Sequence, residues 1–101
     1  MTNQPILDTA YQLAKKAHGP SGHADAKDKL QALFPLLSWE EIVESYLKGS
    51  ELAEKCYEIG DAARRENIPD ARAIQMLKER FYGFSDETYS DALTLGWFLS
   101  R

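Results

Sequence analysis

Residues 38–66 read SWEEIVESYLKGSELAEKCYEIGDAARRE, and how much of this stretch forms one helix decides the architecture. Ser38-Trp39-Glu40-Glu41 is a capping box. The Ser38 hydroxyl can accept from the amide three residues on, while Glu41 reaches back. Trp39, Ile42, Val43, Tyr46 and Leu47 then recur at the three- and four-residue spacing of an amphipathic helix. Gly49-Ser50 offers a break, with Ser50 as the cap of a new helix. The stripe nonetheless carries across in phase, through Ser50, Ala53, Tyr57 and Gly60 to Ala63 and Arg64. An interior glycine costs only about 1 kcal/mol relative to alanine, which tertiary packing easily offsets. One long helix over about 39–66 is the expectation, bent at most near Gly49. The small residues at 49, 50, 53 and 60 would let another helix approach closely.

On the amino-terminal side, Ile6, Ala10, Leu13, Ala14 and Ala17 form one apolar stripe. Pro5 suits a first helical turn, and Gly19-Pro20 supplies a stop, so a helix is expected over about 5–18. Gly19-Pro20-Ser21-Gly22 has the composition of a loop. A second helix is expected over about 23–34, with Ala26, Leu30, Leu33, Phe34 and then Leu37 facing inward, and Pro35 just past its end.

On the carboxyl-terminal side, Asn67-Ile68-Pro69-Asp70 reads as a turn ending in a cap. Ala73, Ile74, Leu77 and Phe81 mark a helix over about 70–82, stopped by Gly83. Ser85 caps the last helix, with Asp86 and Glu87 in its first turn, where the helix dipole favours negative charge. Its inner face is Tyr89, Ala92, Leu93, Gly96 and Trp97, and Arg101 suits its carboxyl end. The fold expected is an all-α bundle of five helices, or six if Gly49 breaks the long one. A long central helix and a C-terminal helix-turn-helix hairpin mark it. At 101 residues the chain matches one helical domain, 1–101.

Apolar residues make up 44% of the chain, enough for a core without staples, and eleven are aromatic. Cys56 is the only cysteine, which excludes an intramolecular disulfide and a cysteine-based zinc site. The start, Met1-Thr2-Asn3-Gln4-Pro5, lacks the basic and apolar regions of a signal peptide. No apolar run approaches the roughly 18 residues of a membrane span. A cytoplasmic protein without membrane association is the expectation.

The net charge of −4 is uneven. Residues 38–67 hold eight acids against four bases, whereas residues 1–37 hold four lysines against three aspartates. Affinity for nucleic acid comes largely from Lys and Arg neutralising phosphates, so the acidic middle argues against a broad nucleic-acid surface. Its acids are expected to solvate exposed helix faces. The outline of a DNA-binding helix-turn-helix in residues 70–100 fails for the same reason. Its second helix carries Asp86, Glu87 and Asp91 at its leading end, the wrong sign for the major groove. A nucleic-acid role survives only as regulation, through an unrecognised basic face or by acids that occupy a protein's DNA channel.

The chemistry-bearing residues are few. His18 and His23 flank the Gly-Pro-Ser-Gly segment with Asp25 and Asp28 nearby, a set of types that can bind zinc or iron. The spacing fits no helical ligand pair. The simpler reading is two surface histidines near helix ends, with His18 favoured by the dipole at the end of the first helix. No metal, cofactor or catalytic residue is expected, and a metal-dependent enzyme ranks third among the readings. Lys15, Lys16, His18, His23, Lys27 and Lys29 form the only locally basic stretch, but the phosphate-cradling spacing with its closing Lys-Ser/Thr is missing. Ser21 lies beside His23 without the strand-turn-helix elbow of a hydrolase serine. Cys56 sits among acids that discourage its thiolate, so an inert, partly buried thiol is expected. Glutamates at three- and four-residue spacing in the long helix lack the Glu-x-x-His partner of di-iron bundles.

The most informative feature is the aromatic set Phe81, Tyr82, Phe84, Tyr89, Trp97 and Phe98. Trp97 and Phe98 are adjacent and point about 100° apart on a helix, so one inner stripe cannot bury both. Phe81, Tyr89 and Trp97 are expected mainly inside. Aromatic side chains left outside are typical interface anchors. Tyr82, Phe84, Trp97 and Phe98 are therefore the expected partner-binding residues of a non-enzymatic helical protein. Its partner is another protein or a second copy of itself, and nucleic acid is not expected.

Overall fold

A computed structural model describes residues 4–99 of the chain. It is all-α, with five helices: α1 (Gln4–Lys16), α2 (Gly19–Leu33), α3 (Trp39–Glu66), α4 (Asp70–Arg80) and α5 (Asp86–Leu99). The expectation of one long helix holds. α3 runs unbroken for 28 residues, about 42 Å at 1.5 Å per residue. Contacts divide the chain into two compact units, the first ending at Ala53 and the second beginning at Glu54. α3 contributes its first half to one and its second half to the other. Arg101 and the first three residues lie outside the described residues.

Helix ends follow the local chemistry closely. At Ser38 the capping box is complete: the Glu41 amide donates to Ser38 Oγ at 3.2 Å, and the Ser38 amide donates to the Glu41 carboxylate at 3.4 Å. α3 ends through Asn67, whose φ of 54° places it in the left-handed region, a conformation asparagine tolerates better than most residues. The Ile68 amide then donates back to the Ala63 carbonyl at 3.0 Å, the long-range bond of a Schellman ending. Ser85 Oγ accepts from the Thr88 amide at 3.3 Å and starts α5.

The connection between α1 and α2 departs from expectation. Gly19-Pro20-Ser21-Gly22 is not a loop but the first turn of α2, so only Ala17 and His18 connect the two helices. Gly19 makes the reversal at φ +73°, where a side chain would strain the backbone. Pro20 follows in the first turn, where its fixed φ suits a helix and its missing amide proton is no loss. The end of α1 is accordingly Lys15 and Lys16, and His18 takes the cap position at the opposite, positive pole of α2. The dipole argument made for His18 is thereby reversed.

In the first unit, Ile6, Ala10 and Ala14 of α1 meet Ala26 and Leu30 of α2 and Ile42 and Tyr46 of α3. Phe34 and Leu37 pack against this cluster. Leu33 does not join it and is 61% exposed. The inner row of α2 is Gly22, Ala26 and Leu30, and the chain leaves the helix one residue after Leu33, so Phe34 and Leu37 fold in from the turn instead. In the second unit the buried side chains are Cys56, Ile59 and Ala63 of α3, Ala73 and Leu77 of α4, Phe81 and Phe84 of the turn, and Thr88, Tyr89, Ala92 and Leu93 of α5.

The buried face of α3 runs through Ile42, Tyr46, Gly49, Leu52, Cys56, Ile59, Gly60 and Ala63. Trp39, Leu47 and Tyr57, expected on it, are exposed. Two glycines mark the face. A Cβ on Gly49 would lie 2.5 Å from the Tyr11 amide nitrogen and 2.7 Å from the Ala10 carbonyl carbon of α1. A Cβ on Gly60 would fall on the backbone of Gly96 and Trp97 in α5. The expectation that small residues at 49 and 60 admit neighbouring helices is met.

Candidate functional site

The exposed aromatics arise from how α5 packs. Gly96 touches α3 so closely that a Cβ there would fall on the Cys56 carbonyl group. Gly96 therefore points at α3, and the next two residues turn away from it through successive steps of about 100°. Trp97 is 41% exposed, Phe98 63%, and Leu99 is exposed as well. Tyr57 is also exposed, and its backbone nitrogen is 3.1 Å from a Cβ built on Gly96. The α3–α5 crossing thus carries Tyr57 from one helix and Trp97 from the other.

The remaining aromatics divide differently. Tyr82, in the turn before α5, is 74% exposed. It precedes the first turn of α5, while Phe98 lies twelve residues beyond Asp86, a rise of about 18 Å along the axis. The helix therefore separates Tyr82 from Trp97 and Phe98. Phe84, expected at the contact surface, is only 5% exposed and stacks edge-to-face on Tyr89, ring centroids 5.9 Å apart. Its inward turn has a visible cause. The Tyr89 hydroxyl accepts from the Phe84 amide at 3.2 Å and donates to the Phe81 carbonyl at 2.5 Å. The side chain supplies both backbone groups of the turn with the partners that water would otherwise provide. Phe81 and Tyr89 are buried, as expected.

The histidines enter no cluster of three or more metal-ligating side chains among the described residues. His18 is exposed, and its side chain makes no cap bond. His23 Nδ1 pairs with the Tyr46 hydroxyl at 2.5 Å, the rings meeting edge-on at 5.8 Å. Among the described residues no group of three or more His, Cys, Asp and Glu could hold a metal ion. The basic stretch is dispersed over several surfaces. The Lys15 ammonium lies 5.5 Å from the Tyr11 ring centre and that of Lys27 5.9 Å from the Tyr46 ring centre. Lys16, His18, Asp25 and Lys29 line a groove of about 320 Å³ between α1 and α2.

Ser21 is exposed in the first turn of α2. Cys56 is fully buried rather than partly so, and burial first, with the Asp91 charge adding to it, pushes its thiol up to about 11. A nucleophilic role requires a reachable thiolate. The acids of α3 at 40, 41, 44, 51, 54 and 58 are exposed, as expected. In the second unit several carboxylates are answered locally: Asp61 by Arg64 and Arg65, Glu58 by Arg80 at 2.6 Å, and Asp86 by Lys78 at 2.8 Å. No helix among the described residues is long and apolar enough to cross a membrane.

The first unit carries a second surface that the sequence reading missed. Leu33, Pro35 and Leu36, with Pro5 of α1, ring a groove of about 330 Å³ floored by Ile6 and Leu37. Leu36 is 98% exposed. The signal was present in Leu33-Phe34-Pro35-Leu36-Leu37, an unbroken apolar run through a turn, where polar residues normally lie. Helical periodicity assigned Leu33 and Leu37 inward and left Leu36 unplaced.

No protein-family model, curated protein or solved structure matches the chain.

Proposed function

We propose that this chain is a small, non-enzymatic helical interaction module that docks a protein partner on the end of α5. Trp97, Phe98 and Leu99 are the anchors, with Tyr57 beside them. The observation that carries the reading is the run of three consecutive large apolar side chains, all exposed, beyond the glycine that seats α5 on α3. Exposed apolar patches of this kind mark interaction sites, and rings anchor interfaces at low conformational cost. Tyr82 lies at the other end of α5, where it serves as a rim contact at most. The exposed acids of α3 favour a basic partner and act mainly on the rate of encounter.

The inert setting of Cys56 and the dispersed basic residues support a binding role over catalysis. The test is quantitative capture from extracts of the native host, with wild type compared with Phe98→Ala and Trp97→Ala. The expected result is a partner retained by wild type and reduced at least tenfold in both variants, as loss of an aromatic hot spot of about 1.4 kcal/mol or more requires. Association should slow with added salt while dissociation stays constant. Equal capture by all three proteins would refute the proposal.

A further inference from the structure

We infer that the outer face of the first half of α3 is a docking surface for a basic amphipathic helix of a partner protein. Trp39, Val43 and Leu47 stand four residues apart, so they form one ridge, about 12 Å long at 1.5 Å per residue. Helical periodicity places them inside, yet Trp39 is 48% exposed and Leu47 59%, with Val43 half-buried between them. Ile42, Tyr46 and Gly49 take the buried side instead. A ridge at this spacing packs into the groove of a second helix, and tryptophan is among the side chains that anchor such contacts. The surface belongs to the first unit and goes beyond the reading of α5.

Charge selects the occupant. Glu40, Glu44 and Glu51 are exposed and lie beside the ridge, each within about 60° of Leu47 at roughly 100° per residue. Lys48 is turned about 100° from Leu47, beyond the acids. Glu40 and Glu44 are four residues apart and repel, and among the described residues neither forms an ion pair. A partner helix with apolar residues at three- and four-residue spacing and Lys or Arg one row over answers both features. Its apolar face meets the ridge, and its cations meet the acids. A second copy does not. Antiparallel two-fold pairing on this ridge lays the acid row against itself, and like charges set opposite one another disfavour the contact. The same sign turns away nucleic acid.

The probe is a labelled synthetic helical peptide of about three turns, with leucines at the helical spacing and lysines beside them. One companion peptide has glutamate in place of every lysine. A second has the same residues reordered so that no apolar face forms. Fluorescence anisotropy with the full chain is expected to show saturable binding of the lysine peptide and at least tenfold weaker binding of each companion. Leu47→Ser should weaken the lysine peptide at least tenfold. Glu40→Lys combined with Glu44→Lys should do the same while strengthening the glutamate peptide. Asp25→Lys combined with Asp28→Lys, at two exposed acids of α2, changes the net charge equally and should weaken binding less than threefold. Circular dichroism should show the helical content and unfolding midpoint of wild type in every variant, as exposed positions allow. No saturable binding up to millimolar peptide overturns the inference, as does equal affinity for the lysine and glutamate peptides. So does binding unmoved by Leu47→Ser, or reduced as much by the α2 pair as by the α3 pair. Self-association of the chain that Leu47→Ser abolishes would make a second copy the occupant and overturn it as well.

Discussion

Replacing Gly60 by alanine sets helix propensity against tertiary contact, and the two predict opposite signs. Within an isolated helix, Gly→Ala stabilises by about 1 kcal/mol. In this fold the new Cβ would meet the Gly96 carbonyl carbon and the Trp97 amide nitrogen, well inside contact distance. These are backbone atoms of α5 and cannot rotate away. Carbon–carbon contacts sit at about 3.5–4.0 Å, so α3 and α5 would have to part by roughly 1 Å or more. Such a gap forfeits about a quarter to a half of each dispersion contact across the crossing, where Cys56, Ile59, Ala92 and Leu93 are buried. Overpacking costs about 1–3 kcal/mol, and rigid backbone on the far side places this case at the upper end. With the propensity gain subtracted, Gly60→Ala should destabilise by about 2 kcal/mol. For a chain of this size that lowers the midpoint by roughly 8–16 °C. Gly22→Ala is the control. Its Cβ would lie 3.6 Å from Ala17 in ordinary contact, and the substitution should stabilise by about 0.4–1 kcal/mol. Thermal and urea unfolding followed by circular dichroism read both. If Gly60→Ala equals or exceeds wild type while Gly22→Ala behaves as expected, the close crossing of α3 and α5 is wrong.

Two further outcomes follow from buried groups of the second unit. Tyr89→Phe removes a hydroxyl that serves both the Phe81 carbonyl and the Phe84 amide. Leaving two buried backbone groups unpaired should cost about 2–6 kcal/mol at ~1–3 each; a loss below about 0.5 kcal/mol in urea titration would contradict that role. Cys56 is raised from about 9 to about 11. Its protonated form is therefore favoured in the folded state, so its contribution is complete below pH 9 and is lost as the pH rises through 11. Unfolding free energy should fall over this window more steeply for wild type than for Cys56→Ala, and matched slopes would dismiss the effect. Native protein should also react slowly with thiol reagents at pH 8 and rapidly in denaturant.

Local chemistry, legible along the chain, determined where the helices begin and end. The Ser38–Glu41 box, the Ser85 cap and the stop at Asn67 each involve residues within a few positions, so their spacing in sequence is their spacing in space. The Gly19–Gly22 segment was misread because loop composition and a proline-led first turn use the same residues, and only the backbone angle at Gly19 tells them apart. The exposed aromatic end of α5 was partly legible, since adjacent rings on a helix cannot share one face. Phe84 was not, because its burial depends on a hydroxyl five residues away. Which arc of α3 faces inward was beyond any periodicity argument. Two apolar arcs run along that helix, one with Trp39, Leu47 and Tyr57, the other with Leu52, Cys56 and Ile59. Both satisfy the helical period. The choice fell to the second because in each unit a glycine lets a neighbouring helix close to backbone contact, Gly49 with α1 in the first and Gly60 with α5 in the second. A helix repeats its pattern without regard to its neighbours; only the neighbours decide which side is covered.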